Sequence, residues 1–412
     1  MSIRIGWFIA FILLTLPGKS QNIPGSLYAV FGFGDIRERT TAYNRALGNT
    51  GIAVRDEFNI STINPASLTS INYPFTSLFE IGTSYGSTLF QTSIASNTSR
   101  SGALTEINYW FRFSRKWASI VGVSPFSNVS YDMSSTRVFG ATSLPSAVQY
   151  QGTGGFNQFY FGNAYDILKN LTLGANVSFY LGSIKRTEAV AATGVTNQFE
   201  ADEILTGRGA NFDLGLQYML PIKKTKIIFG ATWDRGASMN GTQQVAIVNP
   251  ITFDTLSKTD KQVLDSHLPP KYGFGISVKR ERSTFAADIT YLQWKKAVFD
   301  EQEDYRNSFK YSVGYEYRGD LTSYRYLNSI SFRAGTWAQQ YPIAVQNTFL
   351  TTWGYTVGIA LPIQNNNRST ISLNYSDTYL GTTKMDLVKE QSRKFSLDII
   401  IRDIWGVKYK FD

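Results

Sequence analysis

The chain has 412 residues, no cysteine, one histidine and a formal net charge of +9. Without cysteine there is no disulfide staple and no thiolate metal site. The positive charge is spread along the chain instead of gathered into one stripe, which argues against a nucleic-acid partner. No Walker A run, no complete dinucleotide fingerprint and no metal-spaced Cys/His set is present, so neither cofactor nor metal is expected.

Residues 1–20 read as a secretory signal. Arg4 supplies the charged start, Ile5 to Leu16 the apolar core, and Gly18-Lys19-Ser20 a small-residue cleavage site. The core is shorter than the ~20 residues a spanning helix needs. The mature chain is expected to begin near Gln21.

Residues 21–72 carry Tyr28 to Asp35, then Leu47-Gly48-Asn49-Thr50-Gly51-Ile52-Ala53, then Asn64-Pro65-Ala66-Ser67-Leu68. The glycine spacing suits tight, irregular backbone more than a long helix. This segment is either a plug for the C-terminal region or a periplasmic tail.

From residue 73 to residue 412 the chain has a two-beat rhythm. Between Leu171 and Leu181 the odd positions are Leu, Leu, Ala, Val, Phe and Leu, and the even ones Thr, Gly, Asn, Ser and Tyr. A period of two places the two sets on opposite faces of a strand. Strands are predicted at 76–87, 104–113, 117–130, 156–166, 171–184, 209–220, 225–233, 271–279, 284–294, 307–318, 327–337, 351–361, 368–379 and 393–411. Their connections alternate short and long: 114–116, 167–170 and 221–224 are short, whereas 131–155, 185–208 and 234–270 are long. An even strand number with loops sorted in this way marks a transmembrane β-barrel with short periplasmic turns and long extracellular loops. The fold class is therefore all-β: a 14-stranded antiparallel barrel over 73–412, with 21–72 as an N-terminal hatch in its lumen.

Several candidate functional positions stand out in this frame. Ser124-Pro125 falls inside the third strand, and proline cannot donate to a ladder. A lateral opening or a plain bulge is expected there. Phe199, Ile204 and Leu205 in one long loop, and Val248 and Phe253 in the next, form either a ligand-docking groove or loops packed on one another. Asp213, Asp288, Lys310, Glu316, Arg333 and Asp398 lie on the polar parity of their strands. Buried charges need partners, so these six are expected to clamp the hatch, with Arg37, Arg39 and Arg45 as counter-charges. His267 has no neighbouring nucleophile–carboxylate set, and an enzyme is not expected.

The hatch motifs, with Leu268-Pro269-Pro270-Lys271-Tyr272-Gly273-Phe274-Gly275, Ala287-Asp288 and Tyr311 to Tyr317, together resemble the FadL/TodX family of outer-membrane transport proteins. The hatch is similar to a version found in Bacteroidota, and PorV-like secretion barrels there share the Asn64-Pro65-Ala66 motif. The resemblance implies a hatch-plugged barrel in the outer membrane of a Gram-negative bacterium, passing hydrophobic small molecules sideways at a kink in the third strand. Outer-membrane lipid and a hydrophobic ligand are the expected partners. The alternative function is a structural or accessory barrel in a secretion or outer-membrane assembly complex, with other envelope proteins as partners.

Overall fold

The computed structural model describes residues 25–404 except 73, 139–144, 192–198, 250, 253, 260, 299–304, 346–347 and 364–368. The expected signal segment 1–20, the C-terminal residues Gly406 to Asp412 and Phe253 therefore lie outside the described residues.

Fourteen antiparallel strand positions close into a barrel. In chain order the first six are Ser77–Gln91, Ser96–Ser114, Trp117–Pro125 continued by Ser127–Val138, Pro145–Leu168, Leu171–Ala191 and Phe199–Ile222. The seventh is Thr225–Asp234 continued by Ser238–Val248, and the eighth Gln262–His267 continued by Lys271–Arg280. The rest are Ser283–Leu292, Ser308–Tyr317, Ser331–Val345, Thr348–Pro362, Ser369–Leu380 and Lys389–Asp403. The last strand returns to the first, from Asp403 opposite Ser77 to Lys389 opposite Gln91, so no free edge remains at the closure.

Burial runs opposite to that of a water-soluble protein. On the fifth strand Ser178 is 0% exposed and its neighbour Phe179 is 54% exposed. Apolar residues such as Leu173 and Val177 face out, while Thr172, Asn176 and Tyr180 face in. An outward apolar wall around a polar interior is the arrangement that lipid imposes on a barrel.

Several strands run further towards the long-loop end than the sequence rhythm indicated. The fourth begins at Pro145, the fifth continues to Ala191 and the sixth starts at Phe199. On Ser238–Val248 one face holds Asn240, Thr242 and Gln244, and the other carries Met239, Val245 and Ile247 interrupted by Gly241 and Gln243. The broken alternation hides the strand, yet it pairs with the sixth strand from Ala210 to Glu200.

Residues 25–72 lie inside the ring, with short 3-10 turns at Leu27–Val30 and Pro65–Ser70 and one helical turn at Ala42–Ala46. The hatch backbone packs directly on wall glycines. A Cβ on Gly335 would come within 2.1 Å of the Leu47 carbonyl carbon, and one on Gly215 within 2.0 Å of Asn64 Oδ1. At these positions glycine serves the close approach of hatch and wall.

Candidate functional site: a clamped hatch beside an open seam

Asn64-Pro65-Ala66 is the hatch's keystone. The Asn64 Oδ1 accepts from the Ala66 N–H at 3.0 Å, capping the turn, and Pro65 occupies its first position, where no N–H is needed. The Asn64 amide donates to the Ile52 carbonyl at 2.7 Å and to the Leu216 carbonyl of the wall at 3.2 Å. One side chain thus joins two hatch segments to the sixth strand.

All six charges singled out in the sequence are buried, and each meets a hatch residue or a charged neighbour. Asp213 receives Arg39 at 3.2 Å and Asn176 at 2.9 Å. Asp288 accepts the backbone N–H groups of Gly51 and Ile52 at 2.7 and 2.9 Å. Lys310 pairs with Glu38. Glu316 receives Arg333 at 3.0 Å and the Tyr43 hydroxyl at 3.0 Å. Asp398 pairs with Arg45, which also meets Glu106 at 2.5 and 2.7 Å. Burial disfavours the Arg45 cation, but Glu106 and Asp398 outweigh it and hold the guanidinium above its ordinary value. Arg37 contributes its backbone N–H, which donates to the Phe126 carbonyl at 2.7 Å.

Other members of the network were not singled out in the sequence. Glu80 accepts the Ala42 N–H at 3.0 Å, and Arg318 reaches Asp56 of the hatch. Glu80 and Glu106 stand on the inward parity of strands whose ends were legible, so the rule that found Asp213 could have found them. Arg55 binds Gln217, Thr172 and the Ala66 carbonyl.

The third strand is interrupted at Phe126, directly after Ser124-Pro125. Among the described residues, its ladder with the second strand runs from Trp117 opposite Ser114 to Val123 opposite Ile107, and stops there. Above that rung it pairs with the fourth strand, and a piece of the hatch lies along it: Asp35 opposite Asn128 and Ile36 opposite Ser127. The Gly25 N–H adds a bond to the Ser130 carbonyl at 2.9 Å. The wall therefore has a seam between its second and third strands, with the hatch stitched to one lip.

A cavity of about 410 Å³ lies behind this seam. Thr105 and Pro125, just beyond the last rung on either lip, both line it. Phe31, Phe33, Ile36, Trp337 and Leu380 give it apolar surface, and Asp35, Arg37, Lys310, Glu390 and Lys394 give it charge. Glu390 is held by the Leu27 N–H at 2.7 Å.

The expected docking loops are corrected by the structure. Phe199, Ile204 and Leu205 belong to the sixth strand and Val248 to the seventh. Ile204 is exposed, whereas Leu205 turns inward onto the apolar cluster around Phe126, Phe156 and Phe33. His267 ends a strand segment and its ring lies 3.8 Å from Asp265.

The barrel has counterparts among solved structures. It superposes on a Pseudomonas aeruginosa FadL homologue with a TM-score of 0.64 at 12% identity, covering 89% of this chain and 99% of that one. Against the P. putida toluene transporter TodX the TM-score is 0.60 at 16% identity, covering 89% and 99%. The Ralstonia pickettii toluene transporter TbuX gives 0.59 at 17%, covering 88% and 98%. These likenesses establish the fold that the sequence resemblance implied. The family is decided by another comparison, because the model of the BamG family matches residues 1–412. The chain belongs to the BamG family. That name differs from the one the hatch motifs suggested, and the FadL/TodX kinship is one of fold. No curated protein matches the chain.

Proposed function

We propose that this BamG-family barrel sits in the outer membrane and passes small hydrophobic molecules passively, by a lateral route. The observation that carries this reading is the cavity's contact with both lips of the seam, at Thr105 and Pro125. A molecule held there leaves into the bilayer without crossing the hatch. The mixed lining suits an amphiphile, such as a fatty acid, better than a bare hydrocarbon, because Arg37 and Lys394 would be poor neighbours for apolar surface alone. The FadL-type fold is in keeping with this use.

The test is uptake of labelled fatty acid by cells that carry the barrel and by cells that lack it. Thr105→Trp places a large ring in the cavity mouth and should bring uptake down to the level of cells without the barrel. Uptake that is equal with and without the protein would reject the reading.

A second reading, an accessory barrel in an outer-membrane assembly or secretion complex, is favoured by membership of the BamG family. The PorV-like hatch motif points the same way. It requires a stoichiometric protein partner and no dependence on the cavity.

A further inference from the structure

The two ends of the barrel differ in how their charges are arranged. At the long-loop end three cations have carboxylate partners: Lys185 meets Asp202 at 2.8 Å, Arg186 meets Glu203 at 3.3 Å and Arg137 meets Glu188 at 3.9 Å; Lys258, Lys295, Lys296 and Lys389 also stand exposed there. At the short-turn end the turn tips are basic. Arg115 and Lys116 stand in the first turn, Lys169 in the second, Lys223 and Lys224 in the third and Arg282 in the fourth, all exposed. Carboxylates stand on this rim as well: Asp320 holds Arg282, Glu281 stands beside it, Glu57 meets Lys279 and Lys226 at 3.0 and 3.7 Å, and Asp166 lies 3.8 Å from Arg55.

Just inside these tips the outward wall carries exposed rings and aliphatics: Phe113 and Trp117 flank the first turn, Tyr165 and Leu168 the second, Tyr218 and Ile222 the third. Aromatic side chains at this level mark the membrane–water interface. Cations one to a few residues beyond such a belt lie at the depth of lipid phosphates, and their flexible stems let the charge reach them. The turn between the tenth and eleventh strands adds Tyr324, fully exposed, with Arg325 and Leu327, which is 76% exposed. Apolar groups displayed beside a cation are unfavourable in water and suited to a headgroup region.

We propose that this short-turn rim is a binding collar for anionic phospholipid headgroups in the leaflet it faces. The inference rests on the membrane-spanning reading of the barrel and adds a lipid class and a side to it. Charge complementarity and continuity with the aromatic belt select lipid as the occupant over an acidic protein domain. Near a membrane surface basic residues are attracted to anionic lipid, and the attraction falls off within a screening length. The collar thereby fixes the rim at one interface and holds a shell of anionic lipid around it.

The experiment is electron paramagnetic resonance of the whole barrel reconstituted in phosphatidylcholine, with trace chain-labelled phosphatidylglycerol or phosphatidylcholine as the probe. The immobilised fraction of each probe gives their relative affinity for the protein's surface. Phosphatidylglycerol is expected to be preferred several-fold. The preference should fall to near unity in the combined variant Lys116→Gln, Lys169→Gln, Lys223→Gln and Lys224→Gln, and should survive in Lys295→Gln with Lys296→Gln at the opposite end. High salt on the unaltered protein should also erase it, since at ~1 M the screening length is ~3 Å; this measurement needs no variant to fold. Equal affinity for the two probes, or a preference that the rim variant retains, would overturn the collar. No immobilised fraction with either probe would overturn the membrane-spanning reading itself.

Discussion

Replacing Arg45 with methionine removes the cation that joins the hatch to the wall at Glu106 and Asp398 while keeping most of its volume. Both carboxylates are 0% exposed, and Glu80, itself buried, holds the Ala42 N–H three residues away along the hatch. Taking one partner from a buried ion pair typically costs about 3–5 kcal/mol, because the remaining charge is left uncompensated. If that cost falls on hatch docking, the equilibrium between docked and released hatch moves by about 10²–10³-fold or more. The barrel wall keeps its ladders, so the variant should still insert and resist unfolding in detergent, but it should conduct ions in a planar bilayer where the parent is closed. Lowering the pH should shrink the leak, since a protonated carboxyl needs no counter-charge. Adding Glu106→Gln and Asp398→Asn to Arg45→Met should restore part of the seal. A variant with the parent's conductance at neutral pH would show that the Arg45 cluster does not clamp the hatch.

Asn64→Ala deletes the amide's donated bonds to Ile52, Leu216 and Ala231 and the turn cap, and should weaken hatch docking by about 1–3 kcal/mol, measured as earlier proteolytic cutting within 25–72; unchanged cutting would count against the keystone role. Gly335→Val drives a side chain into the Leu47–Gly48 backbone, so the hatch should lose protection from hydrogen exchange around Leu47 while Gly215 and its neighbours keep theirs; uniform protection would contradict the close approach. Burial works against the Glu57 carboxylate, but Lys279 at 3.0 Å and Lys226 hold it below its usual range. A depressed folded value contributes stability that is present above the unfolded value and lost as pH falls through the folded one. Acid release of the hatch should therefore show a component below the ordinary glutamate range that Glu57→Gln abolishes; an acid profile shared by both proteins would refute it.

The parts of the fold legible in the sequence are those where water and lipid lie on opposite sides of a strand. Leu171 to Leu181 alternates because one face meets lipid and the other a polar lumen, and the strands in that zone were found with their order and pairing. Ser238–Val248 was hidden because Gly241 and Gln243 interrupt its apolar face, and the loop assignment of Phe199 and Ile204 failed because the sixth strand extends beside it, where Glu200, Asp202 and Glu203 interrupt the alternation. The lumenal charges were legible by parity alone: a charge on the inward face must have a partner, and Arg39 and Arg45 were at hand. Pro125 marked the strand break because its missing N–H is a local fact. The seam beyond it depends on which strand Ser127–Val138 joins, and that is decided by the fourth strand and the hatch. The cavity draws on Phe31, Thr105, Trp337 and Lys394, which only the closed barrel brings together.

The central claim is that the cavity behind the seam holds a small amphiphile. Native mass spectrometry of the barrel, extracted gently from its own membrane, tests this most directly. The expected spectrum shows the single chain with one fatty-acid-sized adduct, absent from Thr105→Trp. A chain without the adduct, accompanied by stoichiometric protein partners, would contradict the claim and establish the barrel as a subunit of a larger assembly.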